Sequence, residues 1–108
     1  MLDFAAEIIE LAPRLHHTVT SKYVAGQLVR SASSAGANFQ EARGAESRAD
    51  FAHKIQIVLK ELRESEYWLK LLQRTKLAPA SLLPKLLTEA DELIRIAVKS
   101  VVTVKSRS

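Results

Sequence analysis

Residues 30–72 read RSASSAGANFQEARGAESRADFAHKIQIVLKELRESEYWLKLL, and they join two helical segments of opposite character. From Ser31 to Ala37 the chain carries only serine, alanine and glycine. Such a surface lets neighbouring helices approach at the short end of the usual interaxial range, about 8 Å, while larger side chains elsewhere fill the volume. Gly36 in mid-helix costs about 1 kcal/mol relative to alanine, so close approach of another element is its physical justification. Bulk at Ala35 or Gly36 is expected to destabilise the packing. The second segment is the reverse. Phe51, Ile55, Val58, Leu62, Leu69 and Leu72 recur at three- and four-residue intervals, interrupted only by Ser65, and so form one seam along roughly 42 Å of helix.

The boundaries between the two follow from capping chemistry. Gly44 suits a helix end, and Ser47 followed by Asp50 is a capping box with aspartate in place of the usual glutamate. Upstream, Thr20 or Ser21 is the expected N-cap of the small-residue helix, whose inner face reads Ala25, Leu28, Ala32, Ala35, Phe39 and Ala42. A first helix runs from Met1 to about His17 with Ala5, Ile8, Ala12 and Leu15 on one face. Pro13 lacks the donor its position needs, so this helix either breaks near Ala12 or kinks there. Downstream, residues 77–81 form a short connection, with Pro79, Ser81 and Pro84 all compatible with a helix start. Leu83, Leu87, Ala90, Ile94, Ala97, Val101 and Val104 make a fourth seam. Four amphipathic helices with short loops predict an all-α fold, an antiparallel up-down-up-down four-helix bundle spanning residues 1–108 as one domain. No segment carries a strand or hairpin pattern.

Composition agrees. The chain has 108 residues, enough for one hydrophobic core; 47% are hydrophobic and 26% charged, with only three Gly and three Pro. No apolar run approaches the length of a membrane span and no signal-peptide pattern precedes the first helix, so a cytoplasmic protein is expected. The absence of Cys removes disulfides, thiolate nucleophiles and Cys-type zinc sites. Net charge is +4, and its placement matters more than its size. Up to Glu92 basic and acidic residues cancel at 12 each, so Arg95, Lys99, Lys105 and Arg107 supply the whole excess. Cations there also complement the dipole at a helix C-terminus.

Chemistry is hard to assemble from what remains. His16 and His17 are adjacent, so on a helix they point about 100° apart and cannot chelate one ion as an i,i+4 pair would. His53 has no second histidine near it, so no metal site is expected. Glu61, Glu64 and Glu66 lie beside Lys60, Arg63 and Lys70, as in a helix ion-pair ladder. Ser33 and Ser34 lack a nucleophile elbow, and no glycine-rich phosphate loop follows a strand. The expectation is no enzyme and no cofactor. Ile57, Trp68 and Leu71 instead form a second apolar strip on the third helix, about 120° from the Phe51 seam, and are candidates for an oligomer interface. Arg30, Asn38 and Glu41 are candidate structural polar residues: if buried, Asn38 and Glu41 need partners, from Arg30 or from a cation of the third helix.

The order Gln27-Leu28, Arg30-Ser31, Ser34-Ala-Gly-Ala-Asn38, Glu41-Ala42, Ser47, Phe51, Lys54, Lys60-Glu61, Glu64 and Tyr67-Trp68-Leu69 resembles the four helix bundle protein family. Its genes often lie in intervening sequences of bacterial large-subunit ribosomal RNA genes. The resemblance covers the middle 45 or so residues by identity and the rest by pattern. Phe39 and Gln40, where the family often has smaller residues, and Pro13 are departures. The resemblance implies a ring of five identical bundles. It also suggests a partner, because the accessory proteins of diversity-generating retroelements form similar rings and work with a reverse transcriptase. In an up-down bundle the end of the second helix, the start of the third and the end of the fourth share one end. Arg43, Arg48, Lys54, Lys99, Lys105 and Arg107 are therefore candidates for a basic rim that binds RNA or DNA. The competing expectation is a protein-interaction adaptor, for a reverse transcriptase or another nucleic-acid enzyme, that touches no nucleic acid itself.

Overall fold

A computed structural model describes residues 1–106, and Arg107 lies outside the described residues. Four α-helices form: α1 (Leu2–Leu11), α2 (Val19–Arg43), α3 (Arg48–Thr75) and α4 (Leu83–Ser106). No strand occurs among the described residues, and the rod they form measures 47 × 19 × 19 Å. The pairing of α2 with α3 shows the antiparallel sense directly. Going up α2, Tyr23, Ser31 and Glu41 meet Trp68, Ser65 and Lys54, a descending series on α3. At the opposite end from the α2–α3 loop, the His16 backbone N–H donates to the Leu77 carbonyl at 3.1 Å and ties the other two connections together.

The first helix breaks. Pro13 sits in a single 3-10 turn, Ala12–Arg14, after which Leu15 adopts extended backbone and still buries its side chain. The core face of α1 includes Phe4 and Leu11 as well as Ala5 and Ile8, while Ala12 is only half-buried. The cap of α2 is Thr18, not Thr20 or Ser21. Its Oγ1 accepts the Ser21 backbone N–H at 3.0 Å, and Ser21 is itself buried in the first turn. Three hydroxyl residues in four positions made each a chemically sound cap, and burial of Ser21 selects the register. Ser47 caps α3 as expected, accepting from the Asp50 N–H at 3.0 Å, and Gly44 ends α2.

The α3 seam packs as its spacing predicts: Ile55, Val58, Leu62, Leu69 and Leu72 are buried, with Phe51 half-buried at the end. On α4 the structure buries Leu83, Leu86, Ala90 and Ala97. Leu86 replaces Leu87 in the core, because the packed stripe passes between the two, and Leu87 and Ile94 lie half-buried against it. Val101 and Val104 stay half-buried as well.

Helix α1 is ten residues against twenty-eight in α3, so it covers only part of the rod. Its N-terminus ends against Gly36: a Cβ there would meet the Met1 carbonyl oxygen at 3.7 Å, ordinary contact. Ala35, facing the core, is fully buried. The two positions therefore differ. Ala35→Leu is expected to lower stability by about 1–3 kcal/mol through overpacking, whereas Gly36→Ala is expected to raise it by roughly 0.5–1 kcal/mol by removing backbone freedom. Urea denaturation of the two variants checks both signs.

Helix α1 meets α4 through a charged cluster. Lys85 Nζ lies 3.6 Å from Glu7 and 3.8 Å from Glu89, and Glu7 Oε2 is buried without a hydrogen-bond partner. Burial, and then the neighbouring Glu7 carboxyl, push the Glu89 carboxyl above its usual range. A raised carboxyl favours folding while protonated and loses that contribution as pH rises from the unfolded value, about 4.3, through the folded one. Glu89→Gln is expected to raise the melting temperature at neutral pH, with the gain vanishing below about pH 4. Melting curves across pH for the two proteins test it.

Candidate nucleic-acid interface

Where α2 ends and α3 begins, the loop of residues 44–47 places Arg43 and Arg48 on one end of the rod, and α4 brings Lys99 and Lys105 to the same end. All four are exposed. Lys54 lies one to two turns into α3, where its Nζ donates to Glu41 Oε1 at 2.8 Å, and this partner raises its pKa. Glu41 thus finds its partner on α3, although its side chain is 56% exposed and needed none for burial. Glu46 and Asp50 also belong to this end and dilute its positive charge.

Between α3 and α4 the basic end opens into a groove of about 630 Å³, lined by Arg48, Phe51, Ile96, Lys99, Ser100, Thr103 and Val104. Its floor is apolar, its lips carry one cation from each helix, and the Ser100 hydroxyl donates to its own helix at Ile96 O. The sequence pattern puts Arg48 and Lys99 at this end and marks Phe51 only as part of the α3 seam. The signal was present: Phe51 begins the α3 seam, where a helix end leaves a large ring only half-covered. Ile96 lies off the α4 seam and is 53% exposed.

The flank of α3 beside α2 carries a ladder of polar and aromatic contacts. Arg30 of α2 bridges two carboxylates of α3, donating to Glu61 at 3.0 Å and to Glu64. Glu61 is 6% exposed, so the guanidinium neutralises a charge the fold has removed from water. Arg30 also donates to Gln27 Oε1 at 3.2 Å, and its pKa rises, first through the hydrogen bond to Glu64. The Trp68 indole N–H donates to Glu64 at 3.0 Å and, together with Arg30, holds that carboxyl below its usual range. Tyr23 and Tyr67 stand edge-on to Trp68, with ring centroids 6.0 and 5.1 Å away.

This changes the reading of the strip of Ile57, Trp68 and Leu71. All three are half-buried, and Trp68 and Leu71 pack against the core beside α2. The outermost aromatic surface there belongs to Tyr23 and Tyr67, each more than half exposed. Asn38 is half-buried and donates to the Ser34 carbonyl at 2.9 Å, within its own helix. Among the described residues no three of His, Asp and Glu come together as metal ligands would, and no helix is long and apolar enough to cross a membrane.

The 23S rRNA-intervening sequence protein family model matches residues 1–99. The chain belongs to this family. A crystal structure from Bacteroides thetaiotaomicron, of a protein with unknown function from the S23 ribosomal protein family, is similar over 93% of each chain, with 36% identity and a TM-score of 0.84. Comparison with curated proteins gives no match.

In this family member, Trp68→Phe keeps most of the ring packing and removes the indole donor. The Glu64 carboxyl is then expected to titrate at higher pH, measured by NMR. A lowered carboxyl contributes stability above the unfolded value, about 4.3, that is lost as pH falls through the folded one. The stability advantage of the natural protein over Trp68→Phe should therefore narrow in that acid range.

Proposed function

We propose that this protein is a non-enzymatic, self-assembling bundle, a ring of five copies, whose basic ends hold RNA or DNA. The observation that carries the reading is the convergence of Arg43, Arg48, Lys99 and Lys105 from three helices on one end of the rod. Membership in a family described by a ribosomal RNA intervening sequence is consistent with a nucleic-acid setting. Assembly multiplies the effect: five copies of a +4 chain carry +20 around one axis. Such a ring attracts phosphates by counterion release, without reading sequence.

One feature favours a second reading, a protein adaptor. The Tyr23, Trp68 and Tyr67 cluster presents exposed aromatic surface in which the Trp68 indole N–H is already held by Glu64, the kind of rigid anchor that protein interfaces use. A partner such as a polymerase would dock there without phosphate contacts.

Light scattering at micromolar concentration is expected to give about five chain masses, and a monomer would refute the ring. Binding to labelled RNA or DNA is expected at low salt and to fall by orders of magnitude toward physiological salt. Absence of binding at low salt, with a protein partner captured after nuclease treatment, would decide for the adaptor.

A further inference from the structure

A rim of cations alone treats single and double strands alike, as arrays of phosphates. The groove between α3 and α4 does not. Its floor is a half-buried Phe51 ring with Val104, exposed Ile96 stands at its side, and its lips are Arg48 from the start of α3 and Lys99 from the last turns of α4. Charge at the lips and an apolar, ring-bearing floor together match one kind of occupant: a nucleotide whose base is free to leave solvent and whose phosphates stay at the edge. At about 630 Å³ the groove falls within the usual range of small-molecule sites.

The polar atoms point the same way. Of the two hydroxyls on the groove wall, that of Ser100 gives its proton to Ile96 O in its own helix, which leaves Thr103 as the wall residue able to donate to an incoming base. A site of this sort accepts any base by its π-face and discriminates weakly among sequences. A duplex keeps its bases stacked and paired, and reaches only the lips. Another groove, about 710 Å³ between α1 and α2, carries Arg43 beside Phe39, but its other wall is the apolar face of α1 with Leu2 and Ile9, and no lysine or arginine of α1 lines it.

We infer that the α3–α4 groove is a stacking site for an unpaired base, with Phe51 as the platform and Arg48 and Lys99 as phosphate contacts, so that the preferred ligand is single-stranded RNA or DNA. This rests on the rim reading of the preceding section and narrows it from polyanion to single strand.

The test uses the full chain with three labelled probes of equal length, oligo(U), oligo(dT) and a blunt duplex, followed by fluorescence anisotropy at low salt. The natural protein is expected to bind both single strands at least about tenfold more tightly than the duplex. Phe51→Leu, checked for fold by circular dichroism, is expected to weaken single-strand binding roughly tenfold and leave duplex binding unchanged. Lys99→Gln is expected to weaken all three probes and to flatten the salt dependence. Equal affinity for single and double strands, or equal loss of both in Phe51→Leu, overturns the stacking site and leaves the rim intact. No binding of any probe overturns the rim and the groove together. Unchanged binding by Phe51→Leu with an altered light-scattering mass also overturns it, making the groove a contact between copies.

Discussion

The contact on which the rest of the structure depends is a pair of hydroxyls. Ser31 of α2 and Ser65 of α3 are both fully buried, and their Oγ atoms lie 2.8 Å apart. One hydroxyl donates across the interface while the other donates to a carbonyl of its own helix, Leu28 O for Ser31 or Glu61 O for Ser65. A shift of one helix along the other would break the bond between the two hydroxyls and leave each with only the carbonyl of its own helix, Leu28 O or Glu61 O. The pair therefore sets the register of α2 against α3, and the flanking contacts inherit it: Arg30 across Glu61 and Glu64, Tyr23 on Trp68, Glu41 with Lys54. Only small side chains between Ser31 and Ala37 let the helices come close enough for two serines to touch.

The short first helix sets the asymmetry of the rod. Pro13 stops it after Leu11, and Met1 reaches only to the level of Gly36, while α2 continues to Arg43. One end is consequently closed by two loops hydrogen-bonded to each other, and the other is built from the ends of three long helices. Arg43, Arg48, Lys99 and Lys105 lie at the second. There the last apolar positions of α4 and the first of α3 lack full cover, which turns core-type residues such as Phe51 and Val104 into groove lining.

Much of this was legible along the chain, for physical reasons that differ by residue. The capping of α3 by Ser47 is local chemistry, complete within four residues, and needs no tertiary information. The apolar seam of α3 is equally local, because a 3.6-residue period has one face. Ser65 was visible as an interruption of that seam, but its partner was not, since nothing in the spacing of α2 says which serine of four faces inward. Hydroxyl chemistry alone does not single out Thr18 from Thr20 and Ser21, and burial of Ser21 decides the cap. Helical periodicity puts Ile57, Trp68 and Leu71 on a second face of α3, but whether that face meets α2 or solvent is a property of the neighbouring helix.

The sequence by itself determined that four helices form, roughly where each begins and ends, and which face of each is apolar. Those properties depend on proline, capping side chains and helical periodicity, all of which act within a few residues. Only the tertiary structure decided that Glu61 lies buried under Arg30, that Lys54 is held by Glu41, and that Arg48 and Lys99 share a groove floored by Phe51. Each of these joins residues at least thirteen positions apart, and their distance depends on the axial offset between helices, which packing volume and buried hydrogen bonds set after the helices meet.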